Sequence, residues 1–150
     1  MIPEPRDVSE FVAPFLSGKL QIAPLQKDLS RRAYYGLSSP GGERMVLCVH
    51  ADPSDASLQD FVSVAEFLKR GGIPVPGVVS VDWSRGWILQ TDAGAIDLCT
   101  SPDPVRRAEV YGRLVELIVS MQALKPESPV LSRAFDETKL KQEIEFFRSR

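Results

Sequence analysis

The 150-residue chain predicts an α+β fold, an antiparallel sheet with one packed helix followed by a segment that is helical only. Three observations carry this reading. Short apolar or aromatic runs, broken by turn residues, recur between Leu20 and Gln90. Between the third and fourth of them, Asp55 to Arg70 places Leu58, Phe61, Val62, Ala65, Phe67 and Leu68 largely on one helical face. Beyond Gly94 no strand signal remains. The expected division is a sheet unit over 1–94 and a helical unit over 95–150.

In chain order, Asp7 to Phe15 carries Val8, Phe11, Val12 and Phe15 at helical spacing, with Asp7 or Ser9 placed to cap and Gly18 beyond the end. Leu20 to Leu25, Ala33 to Leu37 and Met45 to Val49 read as a three-stranded antiparallel meander. Its connections are the polar segment Gln26 to Arg32 and the turn Ser38-Ser39-Pro40-Gly41-Gly42. The Asp55 to Arg70 helix stops at Gly71-Gly72 and should pack on the sheet. Gly77 to Val81 and Trp87 to Gln90 form a second hairpin around Asp82 to Gly86, which brings the expected sheet to five strands. Pro104 to Leu124 then reads as a long helix with Tyr111, Leu114, Val115, Ile118, Met121 and Leu124 inward. A last helix, Asp136 to Arg148, has Leu140, Ile144 and Phe147 on one face.

Bulk properties remove several classes of function. Eighteen basic against twenty acidic residues leave a net charge of −2, so no global field favours nucleic acid or an anionic membrane. Any phosphate site must be local. No leader-like start and no apolar run near the ~18 residues of a membrane span is present, and a cytoplasmic protein is expected. Cys48 and Cys99 are isolated among apolar residues and read as buried free thiols. His50 is the only histidine, which excludes a multi-histidine metal site. There is no Gly-x-Ser-x-Gly elbow and no Gly-x-x-x-x-Gly-Lys-Ser/Thr loop.

Five segments, in order, carry a resemblance. Leu25-Gln26-Lys27-Asp28-Leu29-Ser30-Arg31-Arg32-Ala33-Tyr34-Tyr35 precedes Val46-Leu47-Cys48-Val49-His50-Ala51-Asp52-Pro53. The segment Phe61 to Pro76 is the end of a helix with its exit Gly71-Gly72-Ile73-Pro74-Val75-Pro76, Trp87-Ile88-Leu89-Gln90-Thr91-Asp92-Ala93-Gly94 follows, and Phe135-Asp136-Glu137 runs to Phe147-Arg148. Together they resemble the aminoglycoside phosphotransferase and choline kinase-like family, nearest to its cell-wall amino-sugar kinases. The resemblance implies a protein-kinase-like N-lobe with hinge over 1–94 and the helical start of a truncated C-lobe over 95–150. It further implies the ATP-binding part of a small-molecule kinase, inactive alone, whose catalytic loop and metal-binding aspartate belong to a missing or separate catalytic lobe.

That family logic assigns roles to particular residues. Phosphates meet main-chain N–H groups, short hydroxyls and an arginine at the turn between the first two strands, so Ser30 and Arg32 are the candidates there. Lys27 to Ala33 contains no glycine, which implies weak ATP binding and keeps a plain solvated turn open as the alternative. Kinases commonly add a third-strand lysine paired with a helix glutamate, but Met45 to Val49 has no lysine. Lys27 could substitute from the turn, with Asp60 or Glu66 holding a cation from the helix. Adenine would meet main-chain groups around Gln90, Thr91 and Asp92, unless this is only the end of an edge strand. Mg²⁺ is implied only once a C-lobe is supplied. His50-x-Asp52 imitates the His-x-Asp of a kinase catalytic loop but precedes the hinge, so His50 is expected to be a strand-end residue. A different class stays in view, a non-catalytic interaction module or pseudokinase, and the apolar faces of residues 104–148 imply a homodimer.

Overall fold

A computed structural model describes residues 3–25, 32–94, 103–125 and 137–148. Helix α1 (Pro5–Val12) leads into strands β1 (Gln21–Pro24), β2 (Arg32–Ser38) and β3 (Arg44–His50). Helix α2 (Ala56–Arg70), strands β4 (Val78–Asp82) and β5 (Trp87–Thr91), and helices α3 (Pro104–Gln122) and α4 (Glu137–Arg148) follow. The strands form one antiparallel sheet in the order β1-β2-β3-β5-β4. The five-stranded α+β expectation therefore holds.

Register starts at the β2–β3 turn. Ser39 N–H donates to the Glu43 carbonyl at 3.0 Å, and Gly42 N–H to the Ser39 carbonyl at 3.0 Å. Gly42 sits there at φ +85°, a conformation that costs glycine nothing. From Ser38↔Arg44 the ladder runs through Tyr35↔Leu47 to Arg32↔His50, while β3 pairs on its other side with β5, Val46↔Gln90 and Cys48↔Ile88. Because side chains alternate along a strand, one register fixes two faces.

The sheet carries two packed helices, one on each face, where one was expected. Val8, Val12 and Leu16 bury against Tyr35, Leu37, Leu47, Trp87 and Leu89, and Phe11 meets the Trp87 ring edge-on at 5.8 Å. Helix α1 begins two residues before the expected start because Pro5 has its φ preset for the first turn. Neither Asp7 nor Ser9 caps it, since Ser9 Oγ donates back to the Pro5 carbonyl at 2.9 Å. On the opposite face Leu58 and Val62 of α2 pack on Cys48 and Ile88. That helix starts as expected, with the Asp55 carboxylate accepting the Ser57 N–H at 2.8 Å.

The expected inward face of α3 is corrected. Tyr111, Val115 and Ile118 are 57%, 61% and 52% exposed, because no apolar layer among the described residues lies against them. Met121 is exposed as well, while Leu124 sets its side chain on Gly71 at the end of α2. Leu140 and Ile144 of α4 are likewise exposed. Among the described residues, no helix is long and apolar enough to cross a membrane.

Candidate functional site

Helix α2 covers the centre of its face of the sheet, Cys48 and Ile88, and the polar side chains of the strands gather on this same face around that centre. Along it lie Arg32 and Tyr34 of β2, Val46, Cys48 and His50 of β3, and Ile88 and Gln90 of β5. Among the described residues, two buried polar atoms on this face lack a hydrogen-bond partner: His50 Nε2 and Gln90 Oε1. Native interiors leave few such groups unpaired, so each one calls for a physical reason.

At one end Arg32 begins β2 opposite His50, with its guanidinium 5.5 Å from the centre of the Phe61 ring of α2. Arg32, Ser57, Asp60, Phe61 and Leu68 line a groove of about 270 Å³ that continues to Val75 and Pro76. Burial holds the His50 imidazole below its usual range, the positive charge of Arg32 adds to this, and Asp55 opposes it. Burial also raises the Tyr34 phenol, helped by Cys48 and opposed by Arg32. Arg32 thus shares its surroundings with Tyr34, His50 and Phe61, three residues that the sequence motifs did not single out as its neighbours.

At the other end β5 leaves the sheet. It lies between β3 and β4, so the edge-strand alternative does not stand. Thr91 donates its N–H to the Gly77 carbonyl at 2.9 Å and accepts the Gly77 N–H on its hydroxyl at 2.8 Å. Asp92 accepts from Gly94 N–H at 2.8 Å and pairs with Arg44 Nε at 2.8 Å, which fixes the chain just after the ladder. The last β3–β5 pair is Met45↔Thr91, so the main-chain groups of Asp92 and Ala93 lie past the sheet.

Of the sequence-derived candidates, Arg32 and Gln90 share one face, Thr91 ends β5 next to Gln90, and Asp92 follows it out of the sheet. Glu66 is exposed on α2 beside Lys69 and Arg70, away from the Arg32 groove, whose lining includes Asp60. Lys27 and Ser30 lie outside the described residues, as does Cys99. His50 is the last residue of β3 and is buried, the strand-end position expected of it. Among the described residues no three carboxylate, histidine or cysteine side chains gather as a metal site would require.

An antiparallel five-stranded sheet with one helix inserted between its third and fourth strands, an exit segment after β5 and helices beyond is the frame of a kinase-like small lobe. Residues 21–148 match the family model described as "Phosphotransferase enzyme family", and the chain belongs to that family. It is similar to the N-acetylmuramate/N-acetylglucosamine kinase of Pseudomonas aeruginosa, 26% identical over 127 residues. That match takes in 85% of this chain and 36% of the kinase, so the chain spans about a third of its relative's length.

Proposed function

We propose that an adenine nucleotide binds along the margin of the α2 face, beside the centre that α2 covers, with its base toward Gln90, Thr91 and Asp92 and its phosphates toward Arg32. The observation that carries this reading is the placement of Arg32 and Gln90 on one face. Arg32 lies opposite His50 and Gln90 opposite Val46, four residues apart on β3. At about 3.3 Å per residue this separates the two ends by ~13 Å, the scale of a nucleotide from base to terminal phosphate. In this reading main-chain groups of Asp92 and Ala93 would meet the base edge, and the guanidinium would supply a charge-assisted bond to phosphate. Ser30 and Lys27 would add a hydroxyl and a second cation from the connecting turn.

In this reading the chain is the ATP-binding part of an amino-sugar kinase, with N-acetylmuramate or N-acetylglucosamine as acceptor, and it does not transfer phosphate alone. A catalytic lobe, as a further segment or a separate chain, would bring the catalytic aspartate and the Mg²⁺ ligands. Titration calorimetry with ATP tests the binding half. Weak saturable binding that drops by about tenfold to a hundredfold in Arg32→Ala supports it, since bonds to charged groups contribute roughly 1.5–3 kcal/mol. Equal binding by wild type and variant would rule out phosphate at Arg32. The catalytic half is tested by ATP-dependent phosphorylation of the two sugars and of an aminoglycoside, where turnover that survives repurification would refute it.

The exposed apolar residues of α3 and α4 favour a second reading, a non-catalytic or pseudokinase module whose partner is a second copy of the chain through 104–148.

A further inference from the structure

We propose that the side chain of Gln90 selects the base, favouring adenine over guanine; this rests on the nucleotide reading above and adds a side-chain determinant to it. Gln90 is 7% exposed, and its Oε1 has no hydrogen-bond donor. Its strand is internal, and its cross-strand partners are Val46 and Val78, two apolar residues. A methionine or leucine would pack among valines without an unmet polar atom, whereas the amide leaves an acceptor without its bond. The only other buried side-chain atom in this condition among the described residues is His50 Nε2, at the far end of the same face. The orphaned acceptor belongs to the next-to-last residue of β5, one position before Thr91 ends the strand and Asp92 leaves it, the end to which the nucleotide reading assigns the base.

The chemistry of the base edges then decides the preference. Adenine carries an exocyclic amino group at its 6-position, a donor that satisfies Oε1. Guanine carries a carbonyl oxygen there, which would meet Oε1 acceptor to acceptor in the amide orientation of this structure. A pocket that leaves a buried polar group unpaired with one ligand and paired with another discriminates strongly between them.

The test is equilibrium binding of ATP and of GTP, in parallel, to the full chain and to its Gln90→Met variant, with Gln90→Leu repeating the comparison in a second shape. Wild type should prefer ATP by about tenfold or more, and the methionine variant should lose about tenfold in ATP affinity with GTP little changed. Without nucleotide, the methionine variant should melt no lower than wild type, because an unpaired buried acceptor has been removed. ATP binding that is indifferent to both substitutions, or a wild type that binds GTP as well as ATP, overturns the role of Gln90 and leaves the nucleotide reading standing. A nucleotide-free variant that melts clearly lower would show the amide to be satisfied in the free chain, which also overturns it. Binding of neither nucleotide by wild type removes the nucleotide reading and the selectivity together.

Discussion

The β4–β5 turn is tied to the end of β3 through one glycine, and replacing it should unsettle both. Gly86 sits at φ +69°, and its carbonyl accepts the His50 N–H at 2.9 Å. A Cβ added there would come within 3.2 Å of Pro53 Cα, 3.3 Å of His50 Cβ and 3.4 Å of the His50 carbonyl oxygen. Two of those atoms are backbone and cannot swing aside. Gly86→Ala therefore carries two costs: about 1–2 kcal/mol for an L-residue in the left-handed region, and about 1–3 kcal/mol for overpacking. Gly42→Ala is the control, because Gly42 has φ +85° but its added Cβ would meet nothing within 4 Å. Only the first cost applies there. The reduced freedom of the unfolded chain favours alanine equally in both variants and cancels in the comparison.

Gly86→Ala should thus be less stable than Gly42→Ala by about 1–3 kcal/mol, a difference of ~2–12 °C in Tm for a chain of this size. Urea unfolding followed by circular dichroism measures it, with the midpoint moving and the slope unchanged. Equal losses in the two variants would mean that the approach of Gly86 to Pro53 and His50 does not exist in solution, and that the turn and the β3 end are independent.

Two further outcomes follow from the same structure. Burial, with Arg32, lowers the His50 pKa, so the folded state binds fewer protons than the unfolded one below the ordinary imidazole value of ~6.5. The stability this represents is complete above ~6.5 and is lost as pH falls through the depressed folded value; His50→Gln should flatten that slope, and an unchanged slope would assign it to carboxylates. Sedimentation of wild type beside Ile118→Asp/Ile144→Asp tests assembly: a wild-type dimer that the variant dissolves is expected, and a monomer at micromolar concentration would remove the homodimer.

Local chemistry announced much of this fold. Turn residues bounded every strand to within a residue or two, and Asp55 marked the start of α2 because its cap is a short-range hydrogen bond. Burial of α1 was less legible, since Val8 and Val12 show the same spacing whether a sheet lies beneath them or not. The same limit explains α3: periodicity groups Tyr111, Val115 and Ile118 on a face without saying whether anything covers it. Arg32 and Gln90 were legible as candidates, but not as members of one face. Their relation depends on the register set by the Ser39–Glu43 turn and on β5 pairing with β3, and strand order is a long-range property.

The lysine missing from β3 gains a physical meaning once the register is known. Cys48 stands between Tyr34 and Ile88 in the ladder, fully buried and packed under Leu58 and Val62 of α2. An ammonium group placed there would lose its water among apolar neighbours, and without a buried carboxylate beside it would lose its charge instead. The surroundings suit a small, weakly polar thiol, and they leave the centre of the face without a cation. The cation of this face stands at the rim, where Arg32 keeps part of its surface in water and lays its guanidinium on Phe61. A nucleotide on this face would then be held from its two ends, by Arg32 at the phosphates and the Gln90 turn at the base. Removing either end should cost affinity for the whole ligand, and a variant that restores a cation at the centre, Cys48→Lys, should destabilise the fold rather than improve binding.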